Sequence, residues 1–166
     1  MTKLQPRKFK VNKKFNTLPK EKADGFYRSG IFEFNVTKLL IFIKANPEIF
    51  HPEKVPVKFA RTFPPSSLDE STIQTANLAE PIILAEIYPE RFNIIDGNHR
   101  LEKAYRDGAK SILAYKEHAE QHIAFLTSVS AYVEYIEYWN SKKAQLLLYY
   151  LFIFFNFIVF NSISIL

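Results

Sequence analysis

The 166-residue chain has no cysteine, which removes disulfides, thiolate metal sites and any cysteine nucleophile. It leaves the redox compartment open. The first residues, Met1-Thr2-Lys3-Leu4-Gln5-Pro6, lack the apolar core of a secretory signal, so export is not expected and a cytoplasmic protein is. No internal repeat is visible. Net positive charge is confined to one segment. Residues 1–22 carry eight Lys or Arg against a single acid, Glu21, whereas the rest of the chain carries 14 bases and 16 acids. The body is therefore not a polycation. An N-terminal arm, 1–30, holds the basic character, and through residues 1–22 it can meet phosphates on nucleic acid or lipid. The same composition also fits a solvated, partly disordered leader.

What is present suffices for one compact domain with tails: 48% of the residues are hydrophobic. Residues 32–45 read as a short helix, with Asn35 as a cap, Val36, Leu39, Leu40 and Ile43 at helical spacing, and Asn46-Pro47 as the stop. Val55, Val57 and Phe59 alternate with Pro56 and Lys58, the period of a half-buried strand. Residues 61–67 form a loop, and 68–76 make two helical turns with Ile73 inward. The apolar, β-prone stretch 81–87 belongs inside a sheet. Tyr88-Pro89-Glu90-Arg91 turns a hairpin that returns through 92–95 and stops at Asp96-Gly97. Residues 99–107 suit a helix with Leu101, Ala104 and Tyr105 on one face, Glu102 four residues before Arg106, and Gly108 as a left-handed C-cap. A strand at 111–115 follows. A helical stripe of Ile123, Leu126, Val129, Val133 and Ile136 then predicts a helix over 117–139. The sum is a small α/β (α+β) domain over 31–140, with a mixed sheet and flanking helices.

The turn Asp96-Gly97-Asn98-His99-Arg100 carries the chemistry. A helix N-terminus presents unpaired N–H groups and a partial positive charge, so it attracts anions. Gly97 lets a ligand approach the backbone and permits unusual φ values. Arg100 supplies a guanidinium fork suited to phosphate, and His99 can donate a hydrogen bond or move a proton near neutral pH. Asp96 can hold Mg²⁺, act as a base, or cap the helix. A plainer reading stands beside this one: strand, Asp-Gly turn and helix is a common connection, with Arg100 paired to Asp96 or Glu102.

Phe92-Asn93-Ile94-Ile95-Asp96-Gly97-Asn98-His99-Arg100-Leu101-Glu102-Lys103-Ala104 resembles the signature of the ParB/sulfiredoxin superfamily, whose members carry Gly-x-His-Arg or Gly-x-Arg-Arg between a strand and a helix. Glu80-Pro81-Ile82-Ile83-Leu84 is similar to the family's Gln-Pro-Ile strand. Val55-Pro56-Val57, Arg61, Pro65, Ser66, Leu68 and Asp69 are similar to the stretch before the sulfiredoxin nucleotide-contacting helix. The likeness covers 55–116. It implies a turn that binds nucleotide phosphates (ATP, ADP or CTP, with Mg²⁺) through Gly97, Asn98, His99 and Arg100. Thr75 matches a hydroxyl near the nucleotide, and Thr72 stands where sulfiredoxins use a lysine. Asn98 occupies the position of the sulfiredoxin cysteine, and an amide is no nucleophile, so sulfinic-acid reduction is excluded. The DNA-reading helix-turn-helix of a complete partition protein is not expected in the residues after Trp139.

The resemblance leaves two functions open. One is a nucleotide-dependent phosphotransferase or nucleotide hydrolase, with Arg100 steadying phosphate charge and Asp96 and His99 as catalytic groups. The other is a non-catalytic module that binds DNA or a protein partner. A nuclease using Asp96 with Glu80 or Glu102 on metal is weaker still. His118 and His122 lie four apart, but no third metal ligand is evident. The aromatic group Tyr132, Tyr135, Tyr138 and Trp139 reads as packing at a helix end. Residues 144–166 carry no charge at all. As a helix, ~20 such residues span ~30 Å, enough for a bilayer, and Lys142-Lys143 would favour a cytoplasmic near side. A buried final helix or strand, or a tail left by a disrupted reading frame, explains the segment equally well, because Asn156, Asn161, Ser162 and Ser164 weaken the apolar run.

Overall fold

The computed structural model describes residues 7–60 and 67–163; for 59–60 and 156–163 it describes the backbone alone. The chain folds as a mixed α/β protein with two small sheets and flanking helices.

Strand β1 (Phe26–Ser29) pairs antiparallel with β2 (Phe32–Asn35) across Gly30, which takes the left-handed conformation the turn needs. The second sheet holds β3 (Glu53–Pro56), β4 (Ile82–Tyr88), β5 (Arg91–Asp96) and β6 (Ser111–Glu117) in the order β3-β6-β4-β5. Its β6/β4 pair is parallel and the other two pairs are antiparallel, so it is mixed, as expected. The sequence of β4 explains its central place. Ile83, Ala85 and Ile87 face one core, while Ile82 and Leu84 face another. A strand buried on both faces reads as a continuous apolar run.

On the first face, Phe34, Leu39, Ile43, Tyr135, Ile136 and Trp139 close the core. These come from β2, from α1 (Val36–Ala45) and from α6 (Val129–Ile163). On the second face lie Val57 of α2 (Val57–Ala60) and Leu101 and Ala104 of α4 (Asn98–Arg106). Helix α3 (Glu70–Thr75) sends Ile73 inward and packs beside α4, where Lys103 Nζ donates to the carbonyls of Gln74 and Ala76 at its end.

Four local expectations change. Asn35 does cap α1, with its side chain accepting from the Lys38 amide, but residues 32–35 are strand, not helix, because they pair with β1. The strand expected through Phe59 ends at Pro56, and Val57 starts a helical turn; a proline has no N–H to continue a ladder. The helix expected over 117–139 is broken. A short α5 (Ala119–His122) and a 3-10 turn (Ile123–Phe125) lead to an extended link, in which Leu126 bridges Phe34 and the Thr127 amide donates to the Glu33 carbonyl. A helix cannot make those bonds, and Ser128 restarts one by accepting from the Ala131 amide. Finally, Tyr105 is exposed rather than sharing the buried face of Leu101 and Ala104.

The basic arm is docked from residue 7 onward. Phe15 stacks on Tyr132, Phe9 packs on Trp139, and Asn140 exchanges two hydrogen bonds with the Phe9 backbone. Residues 26–29, within the stretch assigned to the arm, form β1. Helix α6 carries the expected aromatic packing at Tyr132, Tyr135 and Trp139, and its backbone runs on into the uncharged tail as far as Ile163. Among the described residues no helix is long and apolar enough to cross a membrane. Residues 164–166 and the side chains of 156–163 lie outside what is described.

Candidate functional site

Strand β5 delivers Asp96 to the edge of the sheet, and the chain enters α4 through Gly97 at φ 93° and ψ 25°. An L side chain pays a steric cost in that conformation. Space adds a second demand. A Cβ at Gly97 would stand 2.6 Å from Ile82 Cγ2 and 2.8 Å from both Arg100 Nε and Nη2. The guanidinium is thus folded back across the glycine, a position open only because no side chain is there.

Gly97 gives α4 no side-chain cap, and the first helical bond runs from the Leu101 amide to the Gly97 carbonyl at 2.9 Å. Among the described residues, no hydrogen bond leaves the amides of Asn98, His99 or Arg100. These are the free donors that a nine-residue helix offers to an anion.

Arg100 does not stand free beside them. Its Nη2 meets Asp96 Oδ2 at 2.7 Å and its Nη1 meets Glu80 Oε2 at 3.0 Å. With the Arg100 side chain 15% exposed against 33% for Asp96 and 62% for Glu80, the guanidinium is the enclosed member and Glu80 the loosely held one. The Asp96 pairing answers the plainer reading of the sequence, while Glu102 pairs with Arg106 instead. Arg106 also grips Glu70 at 2.7 Å, which lowers the Glu70 carboxyl pKa and ties α4 to α3. The turn is accordingly not a bare basic patch. Two polar atoms in it remain unsatisfied and buried: Arg100 Nε and Asn98 Oδ1. The Asn98 side chain hydrogen-bonds Tyr27 of β1.

His99 accepts at Nε2 from the Asp69 amide, 3.3 Å away, so the neutral ring in this arrangement carries its proton on Nδ1. Asp69 caps α3, and hydrogen bonds from the hydroxyls of Ser71 and Thr72 and from the Thr72 amide hold its carboxyl down to about 2. The remaining binding candidate, Thr75, is exposed at the end of α3 and donates its hydroxyl to the Ser71 carbonyl. No hydrogen bond joins it to the turn. Arg61, Pro65 and Ser66, part of the upstream resemblance, lie outside the described residues.

Thus Asp96, Gly97, Asn98, His99 and Arg100 come together, with Glu80 and Asp69 added from other elements. Glu80 stands twenty residues upstream of Arg100, and its contact follows from sheet topology rather than any local spacing. Asp96 and Glu80 share one guanidinium, and no group of three His, Asp or Glu suited to a metal occurs among the described residues. The one carboxylate inside the turn itself, Asp96, is held by Arg100.

His118 and His122 do not converge on a metal either. His118 Nδ1 pairs with Glu86 Oε2 at 2.9 Å; His122 is buried, with Nε2 against the Glu86 carbonyl at 2.9 Å. Burial lowers the His122 ring to about 4, and it raises the Tyr135 hydroxyl, which donates to the same carbonyl. The chain matches no family model and no curated protein.

Proposed function

We propose that the turn from Gly97 to Arg100 binds the phosphates of a nucleotide, ATP, ADP or CTP, in a ParB/sulfiredoxin-like fold. The observation that carries this reading is the Arg100 guanidinium laid over a glycine beside three amides that have no acceptor among the described residues. Binding is an exchange: the guanidinium releases Glu80, turns toward phosphate, and the free amides of α4 complete the cradle. The energies favour it. An exposed ion pair such as that with Glu80 contributes about 0–1 kcal/mol. A charge-assisted hydrogen bond to phosphate contributes about 1.5–3 kcal/mol, and the helix terminus adds about 0.3–1 kcal/mol. Arg100 Nε, which has no acceptor among the described residues, is a further donor once the guanidinium turns outward. The Nδ1 proton of His99 is a fourth donor, and Thr75 flanks the nucleotide only as the resemblance implies.

Of the two functional classes, binding without turnover has more support. Asp96 is held by Arg100 and lacks companions for a metal among the described residues. In a phosphotransferase, release of Asp96 by the departing guanidinium would supply the proton acceptor, with His99 donating to the leaving oxygen.

Calorimetric titration with ATP, ADP and CTP, each with and without Mg²⁺, tests the proposal. Saturable binding that weakens about tenfold or more in Arg100→Gln is expected, since the charge-assisted bonds are lost. Wild-type binding that Arg100→Gln leaves unchanged contradicts the site. Phosphate release from the bound nucleotide would replace the binding reading by the enzymatic one.

A further inference from the structure

Beyond Leu146, helix α6 turns an exposed apolar surface outward over residues 147–155. Every residue from Leu147 to Phe155 is exposed, with Phe152 at 68% and Phe155 at 69%. About 3.6 residues make a turn, so this run circles the helix more than twice and leaves no polar side. Water tolerates such a surface poorly, and a helix apolar all round belongs in a core or in lipid. A second copy of the chain would cover a seam of two positions in about seven, not the whole circumference.

What surrounds the base of this rod identifies its medium. The arm is pinned there: Trp139 Nε1 donates to the Arg7 carbonyl, and Asn140 holds Phe9 through both its amide and carbonyl. Arg7, Lys8 and Lys10 are thereby held, exposed, at the level of residues 139–140. No ion pair engages them among the described residues. Lys142 and Lys143 follow within one turn, Lys142 lying over the Tyr138 ring at 5.5 Å. A shallow cleft lined by Tyr88, Lys142, Gln145, Leu146 and Tyr149 opens at the same level. Glu134 and Glu137, the exposed acids of α6, precede Trp139 on the helix. Along the helix the order is therefore acids, then cations with aromatic side chains at one level, then uncharged apolar residues. This is the profile of a lipid interface: charge for headgroups, amphipathic rings at the boundary, hydrocarbon beyond.

We infer that the apolar end of α6 inserts into a bilayer bearing anionic lipid, with Arg7, Lys8, Lys10, Lys142 and Lys143 seated on the headgroups. The insertion joins two segments far apart in sequence into one surface. It is independent of the nucleotide site on α4.

Flotation of the full chain with vesicles of phosphatidylcholine alone, or with a third phosphatidylserine, provides the test; aggregates do not float and are not mistaken for binding. The chain is expected to rise with the anionic vesicles and to detach as salt increases. The exposed triple variant Arg7→Glu, Lys8→Glu, Lys10→Glu should lower the partition about tenfold or more. Leu148→Gln with Phe152→Gln and Phe155→Gln should abolish it, with circular dichroism confirming that both variants remain folded. Equal flotation with both vesicle types and an indifferent charge variant overturns the inference. So does a wild-type chain that ignores vesicles and sediments as a dimer that the glutamine variant dissociates, or one whose arm charges affect duplex DNA binding alone.

Discussion

Two buried ionisable residues next to the sheet set opposite demands on pH. Glu117 is fully buried, its Oε2 has no partner among the described residues, and burial raises its carboxyl to about 7 against the opposing charge of His118. Between the ordinary 4.5 and about 7 the native state holds a proton there that the unfolded chain has lost, so stability falls as pH rises through that window. His122 acts the other way. Its native pKa of about 4 lies below the ordinary 6.5, so its contribution is present above 6.5 and is lost as pH falls toward 4. Where the windows overlap, the slopes oppose and the profile is shallow. Glu117→Gln removes one side. By urea unfolding the variant should gain on the order of 2–3 kcal/mol over wild type near about pH 8, a gain that shrinks toward about pH 5. Parallel profiles for the two proteins would show that Glu117 does not titrate in the fold. The sequence offered His118 and His122 as a pair because they stand four apart. It gave no sign of Glu86, whose carboxylate and carbonyl engage one ring each, because that contact crosses from β4. Arg100 divides in the same way: Asp96 is legible as its neighbour one helical turn back, and Glu80 is not.

The junction of β5 and α4 is the element on which the site depends, and it was the most legible part of the chain. Pro89-Glu90 between two β-prone runs, Asp-Gly at the strand end and Gly108 beyond the helix are local signals; Gly97 and Gly108 take the positive φ values that suit glycine, while Glu90 takes one, 66°, that an L side chain rarely adopts. The helix start carries the strain. Gly97→Ala should cost about 2–3 kcal/mol, of which ~1–2 kcal/mol is the left-handed backbone and the remainder the displacement of Arg100 or Ile82. Chemical denaturation measures it, and a cost below ~0.5 kcal/mol would mean that the turn relaxes freely. Elsewhere local signals were overruled by pairing. Residues 32–35 have helical company but bond to β1, and 126–127 have a helical stripe but bond to β2. A strand partner chosen from across the chain leaves no mark in the periodicity of a single segment.

For the whole molecule, arm, domain and tail read as separate units along the chain, and the fold joins them. Phe9, Phe15, Trp139 and Asn140 are ordinary residues in isolation; only their meeting sets the basic arm against α6. The mixed sheet then separates the two proposed surfaces, with α4 packed on one face and α6 on the other. The central claim concerns the first of these, the phosphate cradle. Amide-resolved nuclear magnetic resonance during addition of inorganic pyrophosphate tests it most directly. The account predicts that the backbone signals of Asn98, His99 and Arg100, together with the Arg100 Nε–H, shift saturably and more than any others. Shifts confined to the arm at 7–22, with those four signals unmoved, would contradict it.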